Sequence, residues 1–170
     1  MAQGSTVSDD PTMYFLCGKM AAGKSTLANE LGRRFNAVML IEDQFLATLY
    51  PGEIQDISDY VKCSRRVKEA LEDLICNILA QGTSVVLDFP GNTLNQRHWF
   101  RHLIEKSNSA HELHYIDASD ELCKQQLRER SRDLPENTKF TTERYFEAVT
   151  AYFRAPSESE GFNVVVHVRG

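Results

Sequence analysis

The sequence predicts an α/β fold in which helices cover both faces of a parallel β-sheet. Short apolar runs alternate along the chain with longer amphipathic segments, an order typical of parallel strands joined by helices. The runs at residues 85–87 and 164–168 lack the polar alternation of a half-exposed strand, so we expect both of their faces to be buried. A glycine-rich turn at residues 18–25 follows the first apolar run. Ligands bind at the carboxyl ends of strands in such sheets, which places that turn at the functional edge.

The first half of the chain is expected to supply two strands and three helical segments. Its strands are short apolar runs, and the first helix keeps Leu27 and Leu31 on one face. Pro51 and the glycine after it break the second helical segment, and Gly82 ends the third, which has the clearest apolar stripe in the chain. The expected strands are at residues 12–17 and 37–42, and the expected helical segments are at residues 24–35, 43–60 and 63–81.

The second half is expected to supply three strands and three helices. Pro90 closes the first of these strands, and Asn92 or Thr93 offers an N-cap for the helix that follows. Thr141 or Thr142 offers the same for the last helix. The expected strands are at residues 84–88, 112–117 and 163–168, and the expected helices run from 92 or 93 to 106, from 119 to 131, and from 141 or 142 to 154.

Length, composition and charge describe one globular domain. The chain has 170 residues, of which 42% are hydrophobic and 25% are charged, enough for a sizeable core. We expect a flexible tail at residues 1–11 and a single domain at residues 12–170. Nineteen basic and 24 acidic residues give a net charge of −5, which disfavours general binding to nucleic acid or anionic membranes and leaves a local basic site open. No apolar run approaches the length of about 18 residues that a membrane helix needs.

The amino-terminal residues and the cysteines both indicate a cytoplasmic protein. Residues 1–11 lack the basic start and the apolar stretch of a secretory signal. The four cysteines form no C-x-x-C pair and have no nearby histidine at zinc spacing, so we expect reduced structural thiols. They are Cys17, Cys63, Cys76 and Cys123.

The turn GKMAAGKS at residues 18–25 fits the phosphate-binding P-loop pattern: Gly, four free positions, Gly, Lys, then Ser or Thr. Its glycines let the main chain approach a phosphate closely, and the loop amides and the helix start converge on the phosphate oxygens. Lys24 is expected to reach the β and γ phosphates, and the Ser25 hydroxyl to bind Mg²⁺. The expected ATP-binding residues are Gly18, Lys19, Met20, Ala21, Ala22, Gly23, Lys24, Ser25 and Thr26.

Two carboxylates follow predicted strands at the same edge. Asp43, after the second strand, suits a base that takes the proton of an attacking hydroxyl, although it also suits the N-cap of the next helical segment. Glu42 beside it is expected to be a neighbour of the base. Asp88, after the third strand, suits the water shell of Mg²⁺, with a turn-forming aspartate as the alternative.

Basic residues cluster near residue 130. Lys124, Arg128 and Arg132 share one helix face and are expected to be solvated, whereas Arg130 follows the apolar side and therefore needs a partner. That partner is expected to be a nucleotide phosphate, with a carboxylate as the alternative. We therefore predict that Arg130 first, and Arg128 second, bind the transferring phosphoryl group as clamps. The polar loop at residues 133–139 suits a lid that excludes water. Arg97 is expected to be an exposed, solvated helix arginine, and contact with an anionic acceptor is the alternative.

With these motifs in place, the chain resembles a family of small bacterial P-loop proteins described as predicted kinases or ATP-binding proteins. Relatives of that family include chloramphenicol phosphotransferase, zeta toxins and the kinase half of polynucleotide kinase. The resemblance extends over residues 13–168. It rests on the segments GKMAAGKST, IEDQFLATLYPGE, VVLDFPGNTLNQR, LCKQQLRER and FTTERYFEAVTAYFRAPSESEGFNVVV.

The resemblance implies a three-layer P-loop NTPase fold with a five-stranded parallel sheet in the order 2-3-1-4-5. It also implies an ATP-dependent phosphotransferase in which Asp43 activates the acceptor and Arg128 and Arg130 are lid arginines. Many members have Asn after the lid arginine, where this chain has Ser131. Acceptors in the wider group are antibiotics, sugar nucleotides or nucleic-acid ends.

The predicted function is therefore a P-loop kinase that uses ATP and Mg²⁺ on a small-molecule hydroxyl, as a monomer or homodimer. The Asn-Lys-x-Asp stretch of guanine-binding GTPases does not occur in the sequence, and the chain is short for a motor-type ATPase. Two alternatives stay open: a nucleotide-binding regulatory ATPase module, and a nucleic-acid 5′-end kinase, which the acidic net charge disfavours. The predicted catalytic residues are Lys24, Asp43, Arg128 and Arg130, and the predicted metal ligands are Ser25 and Asp88.

Overall fold

A computed structural model describes residues 10–136, 138 and 140–170 of the chain. Most of the predicted tail, residues 1–9, lies outside the described residues, as do residues 137 and 139 of the predicted lid. The strands are β1 (Thr12–Cys17), β2 (Val38–Ile41), β3 (Val85–Asp88), β4 (Ala110–Ala118) and β5 (Val164–Arg169). The helices are α1 (Lys24–Arg34), α2 (Glu42–Leu49), α3 (Ile57–Ala80), α4 (Leu94–Ser107), α5 (Asp120–Arg130) and α6 (Glu143–Thr150), with a 3-10 helix at Glu158–Glu160.

The five strands form one sheet in the order β2-β3-β1-β4-β5, and every neighbouring pair is parallel. This confirms the predicted fold and strand order. From β1 the chain passes to β2 and β3 on one side of β1, and it then crosses from β3 to β4 on the other side of β1. The carboxyl end of β1 therefore lies at the point where the strand order reverses, which is where ligands bind in open parallel sheets.

Helices cover both faces of the sheet, as predicted, and the central strand β1 is buried along its whole length. The edge strand β5 is only partly buried, with Val166 and Val168 exposed, so the prediction that both of its faces are buried is wrong. Met13 and Phe15 pack on one face with residues of α3 and α4, including Ile75. Tyr14 and Leu16, whose side chains alternate with these, pack on the other face with residues of α1. A third cluster joins α5 and α6 to the end of β4 through Cys123, Leu127, Phe146, Ile116 and Ala118.

The clearest helix begins earlier than its apolar stripe predicts. α3 starts at Ile57, where the Asp56 side chain caps it by accepting a hydrogen bond from the Asp59 N–H at 2.8 Å. The predicted segment at residues 43–60 is therefore α2 followed by the first turn of α3. The last helix, α6, ends at Thr150 and not at Arg154, because the Arg154 N–H donates instead to the Asn92 carbonyl at 2.9 Å.

A buried arginine fastens the segment after α6 to α4. The Arg97 side chain is 1% exposed, and its guanidinium donates to Glu160 Oε1 at 2.7 Å, to the Gly91 carbonyl at 2.9 Å and to the Arg154 carbonyl at 2.7 Å. The prediction of an exposed Arg97 is therefore wrong, and its guanidinium is engaged within the fold. The partner carboxylate belongs to the 3-10 helix, so this ion pair connects elements that are distant in sequence.

No helix within the described residues is both long and apolar enough to cross a membrane. All four cysteines are free thiols, and three of them are buried. Burial raises the pKa of Cys17 to about 11, which keeps that thiol protonated and unreactive near neutral pH.

Candidate nucleotide site

The turn between β1 and α1 has the constrained backbone that a P-loop requires. Ala21 has φ of 62° and Gly23 has φ of 106°, both in the left-handed region. Gly18 packs closely against β4, since an added Cβ would lie 3.3 Å from the Ile116 carbonyl oxygen. The Gly18 N–H donates to Asn92 Oδ1 at 2.9 Å, which joins the loop to the turn after β3.

The amino-terminal end of α1 is open to an anion. Gly23 is the N-cap and offers no side chain to the first N–H groups, and the first turn contains no acidic residue. Those N–H groups have no partners within the helix, and the helix dipole places a partial positive charge beside them. A phosphate at this position would satisfy both features.

Lys24 folds back over the P-loop. Its ammonium group donates to the Gly18 carbonyl at 2.5 Å and to the Lys19 carbonyl at 3.1 Å. Burial lowers the pKa of Lys24, and the nearby charge of Arg130 contributes in the same direction. Within the described part of the chain this half-buried cation forms no salt bridge, and a polyphosphate would supply an anionic partner.

Ser25 and Asp88 meet at the mouth of the loop. The Ser25 hydroxyl donates to Asp88 Oδ2 at 2.9 Å, which brings the two predicted metal ligands together. Burial raises the pKa of Asp88; the hydrogen bond from Ser25 opposes this rise and the neighbouring Asp43 charge adds to it. A bound cation would offset both the cost of burying the Asp88 carboxylate and its repulsion by the charge of Asp43.

These two oxygens fit Mg²⁺. The described residues contain no group of three His, Cys, Asp or Glu side chains arranged to hold a metal ion. Mg²⁺ does not need one, because it binds through one or two protein oxygens while keeping waters and substrate phosphates.

Asp43 lies in the first turn of α2, and its side chain is exposed at the same edge as Asp88. The N-cap of α2 is Ile41, without a side-chain capping bond, so the helix-cap alternative for Asp43 is wrong. Ile41 is in register with Asp88 across the β2–β3 pair, so Asp43 follows two residues beyond that position, and its charge contributes to the raised pKa of Asp88.

Glu42 anchors the chain beside Asp43. Its carboxylate is 1% exposed and accepts from the Tyr60 hydroxyl at 2.5 Å and from the Ser64 hydroxyl at 2.7 Å. Burial raises the pKa of Glu42, while these two hydrogen bonds lower it. The start of α2 is thereby tied to α3, and Glu42 is a neighbour of the predicted base, as expected.

The predicted arginine clamps lie at the end of α5. Arg130 is exposed, so the prediction that it follows the buried side of the helix is wrong, although its charge acts on Lys24. Arg128 is also exposed and forms an ion pair with Glu143 on α6. Lys124, also on α5, forms an ion pair with Glu147 on α6 at 2.9 Å. The Ser131 hydroxyl is buried without a hydrogen-bond partner among the described residues.

Two residues at the site have no predicted role there. The sequence predicts Asn92 only as a helix cap, yet its side chain accepts a hydrogen bond from the first amide of the P-loop. Arg169, the last residue of β5, donates from Nη1 to the Ala22 carbonyl at 2.7 Å. Its position at the carboxyl end of a strand is the same signal that identified Asp43 and Asp88.

A comparison with protein families agrees with this geometry. Residues 13–156 match the AAA_33 family, described as an AAA domain, and the match includes the P-loop, Asp43, Asp88 and the arginines of α5. The chain belongs to the AAA_33 family. No curated protein sequence matches this AAA_33 chain.

Solved structures of P-loop kinases share the fold of this AAA_33 chain. A putative kinase from Chloroflexus aurantiacus has a TM-score of 0.70 at 17% identity, covering 93% of this chain and 88% of that one. A sugar kinase from Janibacter sp. has a TM-score of 0.63 at 16% identity, covering 94% and 85%. An APS kinase from Mycobacterium tuberculosis, solved with AMPPNP and APS, has a TM-score of 0.64 at 14% identity, covering 94% and 88%. The chain thus shares its fold with proteins described as kinases.

Proposed function

We propose that this AAA_33 chain is an ATP- and Mg²⁺-dependent kinase that transfers the γ-phosphate to a hydroxyl group of a small molecule. One observation carries the proposal: the folded-back Lys24, the Ser25–Asp88 pair and the exposed Asp43 all lie at one edge of the sheet. Two of the similar structures are named as a sugar kinase and an APS kinase, which favours a small-molecule acceptor.

The P-loop would bind the nucleotide. Its amides and the open start of α1 surround the phosphates, and Lys24 exchanges its carbonyl partners for phosphate oxygens. Ser25 and Asp88 would hold Mg²⁺, which neutralises charge on the β and γ phosphates. These groups stabilise charge that develops during transfer, which is the main source of catalysis in phosphoryl transfer.

Asp43 would act as the base. It is exposed, engages in no capping bond and lies near Asp88, so it is available to accept the proton of an acceptor hydroxyl. Glu42 holds the start of α2 in place through α3. Arg130 would offset the negative charge on the transferring phosphoryl group. Arg128 would do the same after its ion pair with Glu143 breaks.

The test is an ATP-consumption screen over antibiotics, nucleosides, sugars and oligonucleotides, with Lys24→Ala as the inactive control. We expect at least one acceptor to accelerate ADP release by the wild type and not by the control. Acceptor-independent hydrolysis that responds to a partner protein would instead identify a regulatory module. Transfer confined to oligonucleotide 5′ ends, with salt-sensitive binding to single strands, would identify a nucleic-acid kinase.

Asp43→Asn tests the base within the same assay. We expect kcat to fall by about 10²–10⁴-fold, the usual contribution of general base catalysis, with nearly unchanged affinity for Mg·ATP. The matched control is Asp73→Asn, an exposed aspartate on the outer face of α3. Weakened ATP binding with intact turnover would exclude Asp43 as the base.

A further inference from the structure

The outer side of the P-loop is held by a residue from the other end of the chain. Arg169 donates from Nη1 to the Ala22 carbonyl at 2.7 Å, across a sequence separation of 147 residues. The guanidinium occupies the space beside Gly23 that an added Cβ would enter. β5 therefore contributes a cation to the P-loop as well as a strand to the sheet.

A second side chain joins the same contact. Gln126 on α5 lies between Arg169 and the P-loop. In the amide orientation that satisfies both of its ends, Gln126 donates to the Ala21 carbonyl at 2.6 Å and accepts from Arg169 Nη2 at 3.3 Å. Two consecutive P-loop carbonyls, at Ala21 and Ala22, are thus bound by side chains from α5 and β5.

Binding these carbonyls has a consequence for the amides beside them. A trans peptide unit is planar, so its C=O and the following N–H point in opposite directions. The Ala22 carbonyl that binds Arg169 shares a peptide unit with the Gly23 N–H. The Ala22 N–H is already used by the Lys19 carbonyl at 3.1 Å, whereas within the described part of the chain the Gly23 N–H has no hydrogen-bond partner.

The local backbone needs such support. Ala21 is a non-glycine residue with φ of 62°, and Gly23 has φ of 106°, so the peptide units between them lie in a sparsely populated conformation. Glycine's conformational freedom lets the unit after Ala22 rotate unless something fixes its carbonyl. Arg169 is the group that fixes it.

We propose that Arg169 is a positioning residue of the P-loop: its bond to the Ala22 carbonyl directs the Gly23 amide toward a bound phosphate, and Gln126 supports it. The ligand part of this proposal rests on the proposed nucleotide binding. The positioning part does not, because it concerns the conformation of the loop before any ligand arrives.

The first experiment uses hydrogen–deuterium exchange of the unliganded protein. Wild type, Arg169→Met and the control Arg144→Met, an exposed arginine on α6, are compared for peptides that cover residues 18–25. We expect those peptides to exchange faster in Arg169→Met only, and Arg169→Lys to restore part of the protection because its ammonium still reaches a carbonyl. Wild-type exchange in Arg169→Met would overturn the proposal, whether or not the melting temperature changes.

The second experiment measures the affinity for Mg·ADP by calorimetry. We expect Arg169→Met to weaken binding about tenfold, the scale of one charge-assisted hydrogen bond, with an intermediate value for Arg169→Lys and none of this loss in Arg144→Met. Weaker binding without faster loop exchange would mean that Arg169 contacts the nucleotide directly, which overturns positioning. If the wild type itself binds no nucleotide, the proposed function fails, while the exchange experiment still decides the role of Arg169 in the loop.

Discussion

The two sides of the candidate site are held in different ways. On the phosphate side, Lys24, Ser25 and Asp88 are bound to neighbours within the loop or at the end of β3. On the lid side, Arg128 and Arg130 are exposed, and Arg128 is engaged by Glu143. Groups that are hydrogen-bonded to parts of the fold close by hold their geometry, whereas exposed ion pairs between long side chains are screened and contribute little. The phosphate side is therefore preorganised, and the lid side must exchange partners when a nucleotide binds.

On the phosphate side, the largest effect should come from Lys24. We expect Lys24→Met to reduce phosphoryl transfer by about 10³-fold, because it removes the ammonium group from a preorganised site. Steady-state ADP release measures the loss, and Lys62→Met, an exposed lysine on α3, is the control. If both variants kept wild-type turnover, the phosphate side would not be the centre of the chemistry.

Asp88 should give the next largest effect together with a pH signature. Since burial raises its folded-state pKa above the ordinary value, the carboxylate is lost at a higher pH than usual as the pH falls. Mg·ATP binding should therefore weaken as the pH decreases through that raised pKa, and Asp88→Asn should bind about 10²-fold more weakly without that pH dependence.

The same shift predicts the sign of an effect on stability. Between the ordinary pKa and the raised one, the folded state binds more protons than the unfolded state, so the free energy of unfolding contributed by Asp88 falls as the pH rises through this range. Asp88→Asn should remove that slope in denaturant titrations. An opposite slope would mean that Asp88 is stabilised as a carboxylate before Mg²⁺ binds.

On the lid side, Arg130→Met should have a smaller effect. We expect kcat to fall about tenfold with little change in Mg·ADP affinity, because the guanidinium is exposed and acts mainly on charge that develops during transfer. The matched control is Arg132→Met, because Arg132 is also exposed and lies two residues after Arg130, just beyond the end of α5. Equal losses in both variants would point to general electrostatics and not to a clamp.

The smallest effect should come from Glu143→Gln. It releases Arg128 from an exposed ion pair, so kcat should rise by no more than about threefold, and the melting temperature should hardly change. Single-turnover transfer with a saturating acceptor measures the rate. A large decrease would show that the pair between α5 and α6 supports the active arrangement and is not a contact to be broken.

The same contrast explains which features the sequence predicts. The P-loop and the carboxylates after β2 and β3 are predictable because their signals are local: a spaced motif, or an acid that ends an apolar run. Arg97 is not, because the carboxylate that binds it lies 63 residues away. The role of Arg169 cannot be predicted from the sequence for the same reason, since its contact with Ala22 forms only when β5 has joined the sheet.

Arg130 shows a second limit. Helical spacing places it with Cys123 and Leu127, both of which are buried, yet Arg130 is exposed. Helical periodicity predicts which way a side chain points from its helix. It does not predict whether a neighbouring element extends far enough to bury that side chain. Arg130 is the last residue of α5.

The contacts of Arg97 and Arg169 bear on where this domain can be cut. The family match stops at Pro156, before the 3-10 helix and β5. A protein shortened to that boundary would leave the buried Arg97 guanidinium without its partner carboxylate Glu160, and removing one partner of a buried ion pair commonly costs about 3–5 kcal/mol. It would also turn β4 into an outer strand and leave the Ala22 carbonyl without its cation. Expression vectors for this domain should therefore extend through the carboxyl-terminal strand.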